Sequence, residues 1–356
     1  MCNTHRNPIQ CILPPYISQK FERTEEIPKE ESLDNELRNH RFRSDRIYFS
    51  EMPKASLEMM LISKAKPAKP KASIELYNLR HKYSLPGKRM MAADIAKDKD
   101  AKNVLRGTKR TWNFYYSIFS RNSIDNAGMT LVNSIHYGKR YSNAMWNGRQ
   151  MVYGDGDKKV FGSFTLDIDI IAHELAHGVT QYAANFDYEN QSGALNESYS
   201  DVFGIMVKQF TRKQQVDESS WLIGENIMLG DSYALRSLAA PGTAFRDHPS
   251  WGDDPQPATM NNYLHLPNTE RGDWGGVHYN SGIPNYAFYI AAMEAGGFAW
   301  ETVGKAWYAA LTSSLNNRSD FADARRATIA QAKKLFGTNS KVHKAVVRGW
   351  KAAKVK

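Results

Sequence analysis

Three residues of this chain, His173, Glu174 and His177 in the stretch IAHELAHGVT, have types and spacing that could do chemistry together. At 3.6 residues per turn, histidines four apart lie on one face of a helix, so their imidazoles can converge on one ion. Glu174 stands beside the first histidine, where a carboxylate reaches a water held at that ion. This is H-E-x-x-H, a pattern for two zinc ligands and a general base. Taken alone, it is also compatible with a helix that carries two surface histidines. Catalytic zinc takes three protein ligands and leaves a fourth position open, so a third ligand decides the matter. Position 180 is Thr and position 183 is Ala, which excludes the arrangement H-E-x-x-H-x-x-G-x-x-H. Glu197, twenty residues after His177 at the start of the next helical signal, is the candidate, and Asp201 follows it by four on the same face. A carboxylate there can accept a hydrogen bond from the far nitrogen of a ligand histidine, which fixes the tautomer and raises ligand basicity.

The elements that must position these groups are readable in outline. SIELYNLRHKYSLPGKRM has the alternation and Pro-Gly close of a strand and turn, and 101–121 carries apolar residues at helical spacing. Residues 128–153 alternate β-branched and aromatic residues with Gly and Asn, as short strands do. After the Gly/Asp-rich turn at 153–157, LDIDIIAHELAHGVTQYAA and NESYSDVFGIMVKQFT both read as helices, and from PNYAFYIAAMEAGG onward nearly all of the signal is helical. The spacing predicts an α+β protein, β-rich in its first half and α-rich in its second, with the histidine helix between. Residues 64–72, rich in Lys, Ala and Pro, read as a linker or an exposed extended segment. No internal repeat is present.

The formal net charge of +10 resides in two basic flanks, 51–112 and 320–356, around an acidic middle. The flanks lack the aromatic interleaving and motif spacings that read nucleic acid, so solvated faces are expected and a nucleic-acid partner is not. No apolar run reaches the ~20 residues of a membrane span. The polar start MCNTHRNPIQ has no apolar core of a secretory signal peptide. Both cysteines, Cys2 and Cys11, lie before residue 12, which leaves the redox compartment open.

HELAH followed after 19 residues by E-x-x-x-D resembles the thermolysin family of zinc endopeptidases. The resemblance runs over residues 73–356, through SNAMWNGRQMVYGDGD (142–157), ALRS (234–237) and DWGGVHYNSGIPNYAFY (273–289). It implies a two-lobed fold, with a β-rich lobe over 51–187 that includes the histidine helix and a helical lobe over 188–356. It implies one zinc ion on His173, His177 and Glu197, with Glu174 as general base. Tyr188 and His278 would be donors to the developing oxyanion, and Asp273 would orient His278. Arg236 would grip the substrate carbonyl after the scissile bond, while Asn143 and Ala144 would pair with the substrate backbone. Phe161, Phe164, Ile170, Ile223, Ile227 and Leu235 match the apolar pocket for the residue after the cut, or are ordinary core. The implied preference is cleavage on the amino side of bulky apolar residues.

Two departures from the family pattern stand out. Asp169 and Glu225 match acids of its paired-calcium cluster, but Lys208, Ser220 and Leu222 replace the others. The double calcium site is expected to be lost, with a single weak Ca2+ site on Asp169 and Glu225 left open. Trp274 replaces a small polar residue beside the second catalytic histidine, where its bulk could narrow the cleft.

The family-like part leaves residues 1–50, with a boundary as late as 70, as a propeptide. CILPPYI resembles the short prosegment of the protealysin subgroup. Pro14 and Pro15 favour an extended segment suited to lying in a cleft. Cys11 is either a thiolate ligand in zinc's fourth position or a small buried hydrophobe. The expectation is therefore a monomeric zinc endopeptidase precursor, inhibited by its own propeptide and acting on protein and peptide substrates. It is expected to be secreted, with a cytoplasmic location as the alternative. The competing readings are an inactive peptidase scaffold that binds, and a basic surface that binds polyanions.

Overall fold

A six-stranded mixed sheet and a set of packed helices meet along the histidine helix in this computed structural model, which describes residues 10–14, 16–17, 70–230, 234–249 and 251–356. Pro15 and most of 64–72 lie outside the described residues. The strands are β1 (Gln10–Cys11), β2 (Ile74–Asn78), β3 (Lys88–Arg89), β4 (Leu131–Ile135), β5 (Ala144–Trp146) and β6 (Met151–Tyr153). Their order in the sheet is β1-β5-β6-β4-β2-β3. β2, β4 and β6 run parallel, while β5 and β3 pair antiparallel to β6 and β2. β1 pairs antiparallel to β5, with Gln10 opposite Trp146 and Cys11 opposite Met145. The outer edge of β5 is thus covered by a piece of the chain's own N-terminal region.

The helices are α1 (Ala92–Lys97), α2 (Lys99–Phe119), α3 (Ile168–Gln181) and α4 (Asn190–Arg212), then α5 (Asp273–Asn280), α6 (Gly282–Ala295), α7 (Val303–Ser313), α8 (Phe321–Phe336) and α9 (Lys341–Ala352). A two-stranded ribbon, β7 (Leu222–Ile223) with β8 (Arg236–Ser237), lies between α4 and α5 in the chain. α2 begins at Asp98, whose carboxylate accepts the Ala101 N–H at 3.0 Å and so satisfies one orphan donor of the first turn. It buries the face that carries Val104, Gly107, Thr111, Trp112 and Tyr115.

α3 differs in kind. Every residue from Asp169 to Thr180 is buried, as expected of a helix enclosed on all sides. Two glycines allow this. A Cβ at Gly107 would stand 2.6 Å from Ile171 Cδ1, and one at Gly204 would stand 2.8 Å from the Asp169 carbonyl. Without side chains at these points α2 closes on the Ile171 side chain and α4 on the Asp169 carbonyl, so the histidine helix is held from two sides.

Candidate active site and metal centre

Helical periodicity brings His173 and His177 together on α3, their Nε2 atoms 3.0 Å apart. α4 presents Glu197 to them, with Oε2 3.5 Å from His173 Nε2 and Oε1 3.5 Å from His177 Nε2. Four-coordinate zinc with ligands at about 2.0–2.1 Å places its ligand atoms roughly 3.3 Å apart, close to the 3.0 Å between the two Nε2 atoms and the 3.5 Å from each of them to its nearer Glu197 oxygen. Glu197 Oε2 is buried and accepts no hydrogen bond, an orphaned lone pair aimed where a cation would sit. These residues fit zinc.

The far side of each histidine is held. Asp201 Oδ1 lies 2.8 Å from His173 Nδ1. His177 Nδ1 lies 2.9 Å from both Asn196 Oδ1 and Ser200 Oγ. Burial favours the neutral ring at His173, but Asp201 and Glu197 outweigh it and raise its pKa to about 9. The same histidines, with His278, hold Glu197 well below the usual carboxylate range despite its burial. The pocket is therefore built around a positive charge.

Around this centre stand the other groups singled out in the sequence. Glu174 is fully buried, and its Oε2 accepts the Trp146 N–H of β5 at 2.8 Å. His278 Nδ1 lies 2.7 Å from Asp273 Oδ1, whose partner oxygen accepts the His278 N–H at 2.7 Å. His278 Nε2 is 3.5 Å from Glu197 Oε2 and 3.2 Å from the Tyr188 hydroxyl. Burial opposes a charge on His278, but Glu197 and Asp273 raise its pKa to about 9. Tyr188 donates to Glu197 Oε1, and burial above all keeps its phenol protonated.

Asp273 to Gly276 have φ of 52°, 51°, 83° and 77°, a left-handed turn at the start of α5. It brings the Asp273 carboxylate back onto the His278 ring and backbone. The repeating helical signal begins only after it.

Arg236 is fully buried on β8. It donates from Nε and Nη2 to the two oxygens of Asp201, each at 2.8 Å, and from Nη1 to the Ile12 carbonyl at 2.9 Å. Asn143 Oδ1 accepts the Leu13 N–H at 3.1 Å, and the Ala144 carbonyl accepts the Ile12 N–H at 3.3 Å. The Cys11 carbonyl is 3.0 Å from His278 Nε2. Phe161, Phe164, Ile170, Ile223, Ile227 and Leu235 are all fully buried. Ile170 and Leu235 meet beside Gly224, and Phe161 packs between Phe164 and Trp251.

Two possibilities that the sequence leaves open meet particular contacts in the structure. Among the described residues, the Cys11 thiol does not join the atoms gathered at His173, His177 and Glu197. Side chains alternate along a strand, so the register with Met145 sends it to a cluster with Met145, Val152, Tyr137 and Tyr141. At the centre it is the Cys11 backbone that is presented. The possibility of a single calcium on Asp169 and Glu225 meets another cation: Lys208 donates from Nζ to Asp169 Oδ2 at 3.0 Å, to the Leu222 carbonyl at 2.9 Å and to Glu225. A second gathering of possible ligands, Asp98, Asp100 and His136, exists, but both ring nitrogens of His136 already face carboxylates, Asp98 and Asp155, at 2.9 and 2.7 Å.

Asn196, Ser200, Asn285 and Gln256 were not anticipated. Asn196 and Ser200 each precede Glu197 and Asp201 by one residue, and the same four-residue spacing that pairs the acids pairs these two. Asn285 donates to Asp201 Oδ2 at 2.9 Å, and Gln256 donates to the His278 carbonyl at 2.6 Å.

This constellation defines a class, the zinc metalloendopeptidases. Residues 56–181 match the thermolysin metallopeptidase catalytic domain and residues 184–355 its alpha-helical domain. An extracellular metalloprotease of Pectobacterium carotovorum subsp. carotovorum is 44% identical over 293 residues, which are 80% of this chain and 81% of that protein. Protease PrtS of Photorhabdus sp. (strain Az29) is 42% identical over 290 residues, 79% of this chain and 76% of that one. Among solved structures, the precursor of protealysin, a metalloproteinase from Serratia proteamaculans, is similar with a TM-score of 0.81 and 38% identity, covering 98% of this chain and 100% of that chain. The chain belongs to the thermolysin metallopeptidase family, and it is a zinc metalloendopeptidase.

Proposed function

We propose that this chain is the precursor of an endopeptidase that cuts on the amino side of bulky apolar residues, with Glu174 as general base. Zinc, when bound by His173, His177 and Glu197, supplies Lewis acidity that polarises the carbonyl and lowers the pKa of water. Glu174 takes the water's proton and returns it to the leaving nitrogen. The Trp146 N–H on its Oε2 fixes the carboxylate for this work.

His278 and Tyr188 donate to the oxygen on which negative charge develops. With Asp273 on Nδ1 and a carbonyl on Nε2, His278 has acceptors at both nitrogens, so it carries two protons and donates. Asp273 orients that ring. Arg236 grips the next carbonyl along, and Asn143 and Ala144 hold the backbone between. Phe161, Phe164, Ile170, Ile223, Ile227 and Leu235 form the apolar wall for the side chain after the cut. Residues 1–50 act as a propeptide whose described residues from Gln10 to Leu13 lie along β5 and reach His278 and Arg236, ahead of a β-rich lobe over 51–187 and a helical lobe over 188–356. One relative is named an extracellular metalloprotease, which supports secretion. No helix among the described residues is long and apolar enough to cross a membrane.

The observation that carries this reading is the burial of Ile12. Its fully buried side chain follows directly on the carbonyl held by His278, and its own carbonyl is gripped by Arg236. The test is a peptide series varied at the residue after the cut, assayed on protein freed of residues 1–50. We expect Ile, Leu and Phe to be preferred over Asp and Lys. Glu174→Ala should lose at least ~10²-fold in kcat while retaining one zinc by elemental analysis. Equal cleavage before charged residues, or an active Glu174→Ala, would refute it.

A further inference from the structure

We propose that the Cys11–Ile12 peptide bond is the first bond this enzyme hydrolyses, cut by the active site of the same molecule. The proposal rests on the endopeptidase reading above and concerns which bond that activity meets first. The Cys11 carbonyl lies 3.0 Å from His278 Nε2, and that nitrogen is 3.5 Å from Glu197 Oε2. Of the carbonyls in the docked segment whose partners are described, this one adjoins the metal-ligand cluster. The next, on Ile12, points to Arg236.

The bond is held from both sides. Before it, Gln10 and Cys11 pair with Trp146 and Met145 of β5. After it, the Ile12 N–H goes to the Ala144 carbonyl and the Leu13 N–H to Asn143 Oδ1. The Trp146 N–H, in the same strand, holds Glu174. The segment is thus an extended strand laid antiparallel to β5, as a substrate strand added to a sheet edge would be, with the Cys11 carbonyl on His278 and the Ile12 carbonyl on Arg236.

Hydrolysis there consumes one water and no other reactant. Glu174 accepts a proton from the water, whose oxygen bonds to the Cys11 carbonyl carbon. The C–N bond breaks, and the proton held by Glu174 passes to the Ile12 nitrogen. This leaves a carboxylic acid on Cys11 and an amine on Ile12, and transfer of the acid's proton to the amine gives the carboxylate and the ammonium.

Only the product from Ile12 onward stays covalently joined to the rest of the chain. Among the described residues, Gln10 and Cys11 lie upstream of the cut, on strand β1. Downstream, Ile12, Leu13, Tyr16 and Ile17 are all buried, the Tyr16 ring lies 4.5 Å from that of Tyr279, and Arg236 keeps the Ile12 carbonyl. After Leu13 the chain also turns, with the Ile17 N–H on the Pro14 carbonyl at 3.0 Å. Residues 1–11 should therefore leave first, while the segment from Ile12 still fills the side of the cleft beyond the cut. The first cut then precedes full activity.

The experiment follows zinc-loaded full-length protein by intact mass across a wide dilution series, with casein hydrolysis measured in parallel and again after a foreign protease has removed residues 1–50. The expected result is loss of residues 1–11, a new terminus at Ile12, a first-order rate that dilution leaves unchanged, and a lag before casein is cut. Ile12→Asp should abolish that terminus. In a Glu174→Ala background, where nothing is cut, the Cys11 thiol should resist alkylation unless Ile12→Asp is added, which reads docking without activity. If the freed enzyme cuts casein but the first terminus lies elsewhere, or forms faster at higher concentration, the proposal is overturned and the endopeptidase reading stands. If the freed, zinc-loaded protein cuts nothing, the endopeptidase reading fails and this proposal fails with it.

Discussion

Replacing Lys208 by Met should destabilise the protein by about 3 kcal/mol and create a response to calcium that the parent lacks. Lys208 and Asp169 are out of contact with water, whereas the Glu225 side chain keeps about a quarter of its surface (27%) exposed. Burial disfavours the ammonium, but Asp169 and Glu225 more than offset this and raise its pKa, so it is charged at any ordinary pH. Methionine keeps the length and packing of the side chain and removes the charge. Asp169 would then be a buried carboxylate with no cation, next to Asp167, whose pKa its own burial and then Asp169 already push up to about 6. Breaking a buried pair from one side costs ~3–5 kcal/mol, and the exposure of Glu225 argues for the lower end. The oxygens left behind, from Asp169, Glu225, the Leu222 carbonyl and the Ser220 hydroxyl, are ligands a calcium ion accepts. The assay is urea unfolding followed by tryptophan fluorescence, in a Glu174→Ala background to prevent autolysis, in zinc-supplemented buffer with and without millimolar calcium. The parent should give one midpoint in both buffers. Lys208→Met should unfold earlier without calcium and recover part of the loss with it. A parent stabilised by calcium, or a variant within ~0.5 kcal/mol of the parent, would show that the ammonium is not the cation of this site.

His136, between Asp98 and Asp155, has its pKa raised to about 9 by their hydrogen bonds and charges against the opposing effect of burial. Its contribution should be fully present below the unfolded value near 6.5, fall as pH rises, and be gone above about 9. His136→Gln should flatten stability across that window, as measured by thermal melts against pH. Trp274 has φ of 51°, a left-handed conformation that costs a bulky residue roughly 1–2 kcal/mol. Trp274→Asn should raise stability by about 1 kcal/mol in the same urea assay, and a loss would mean that the indole contributes more than the strain removes. Asn196→Ala removes one of two partners of His177 Nδ1, so zinc affinity, read by competition with a chromophoric chelator, should fall at least ~10-fold.

What the sequence made legible is what helical periodicity governs. Residues four apart meet, so His173 with His177 and Glu197 with Asp201 could be paired on faces before any fold was known. The same rule covers Asn196 and Ser200, but amide and hydroxyl groups at that spacing are too common to signal a site. The chemistry of Lys208 against two calcium ions was readable. That its ammonium bonds the two surviving acids depends on β7 and α4 meeting, which no local pattern encodes. Cys11 shows the sharpest limit. A thiol in a segment suited to a cleft suggests a ligand, yet strand alternation and a register set by β5 decide which face it reaches, and a one-residue slip would send it to the opposite one. The left-handed turn at Asp273–Gly276 was also hidden, because two of its four residues are not glycine.

Asp201 ties these levels together. Its two oxygens take His173 Nδ1, Arg236 Nε and Nη2, and Asn285 Nδ2, and although burial pushes the other way, Arg236 and His173 hold its pKa far below the carboxylate range. One fully buried carboxylate thus orients His173 on one side and, on the other, the guanidinium that holds the Ile12 carbonyl. In a dry interior neither partner can shift without leaving a charge unpaired, at a cost of several kcal/mol. The Ile12 carbonyl on Arg236 is therefore coupled through a single side chain to the histidine that faces the metal. Linkage makes such coupling reciprocal: whatever positions His173 for an ion also positions Arg236 for the Ile12 carbonyl.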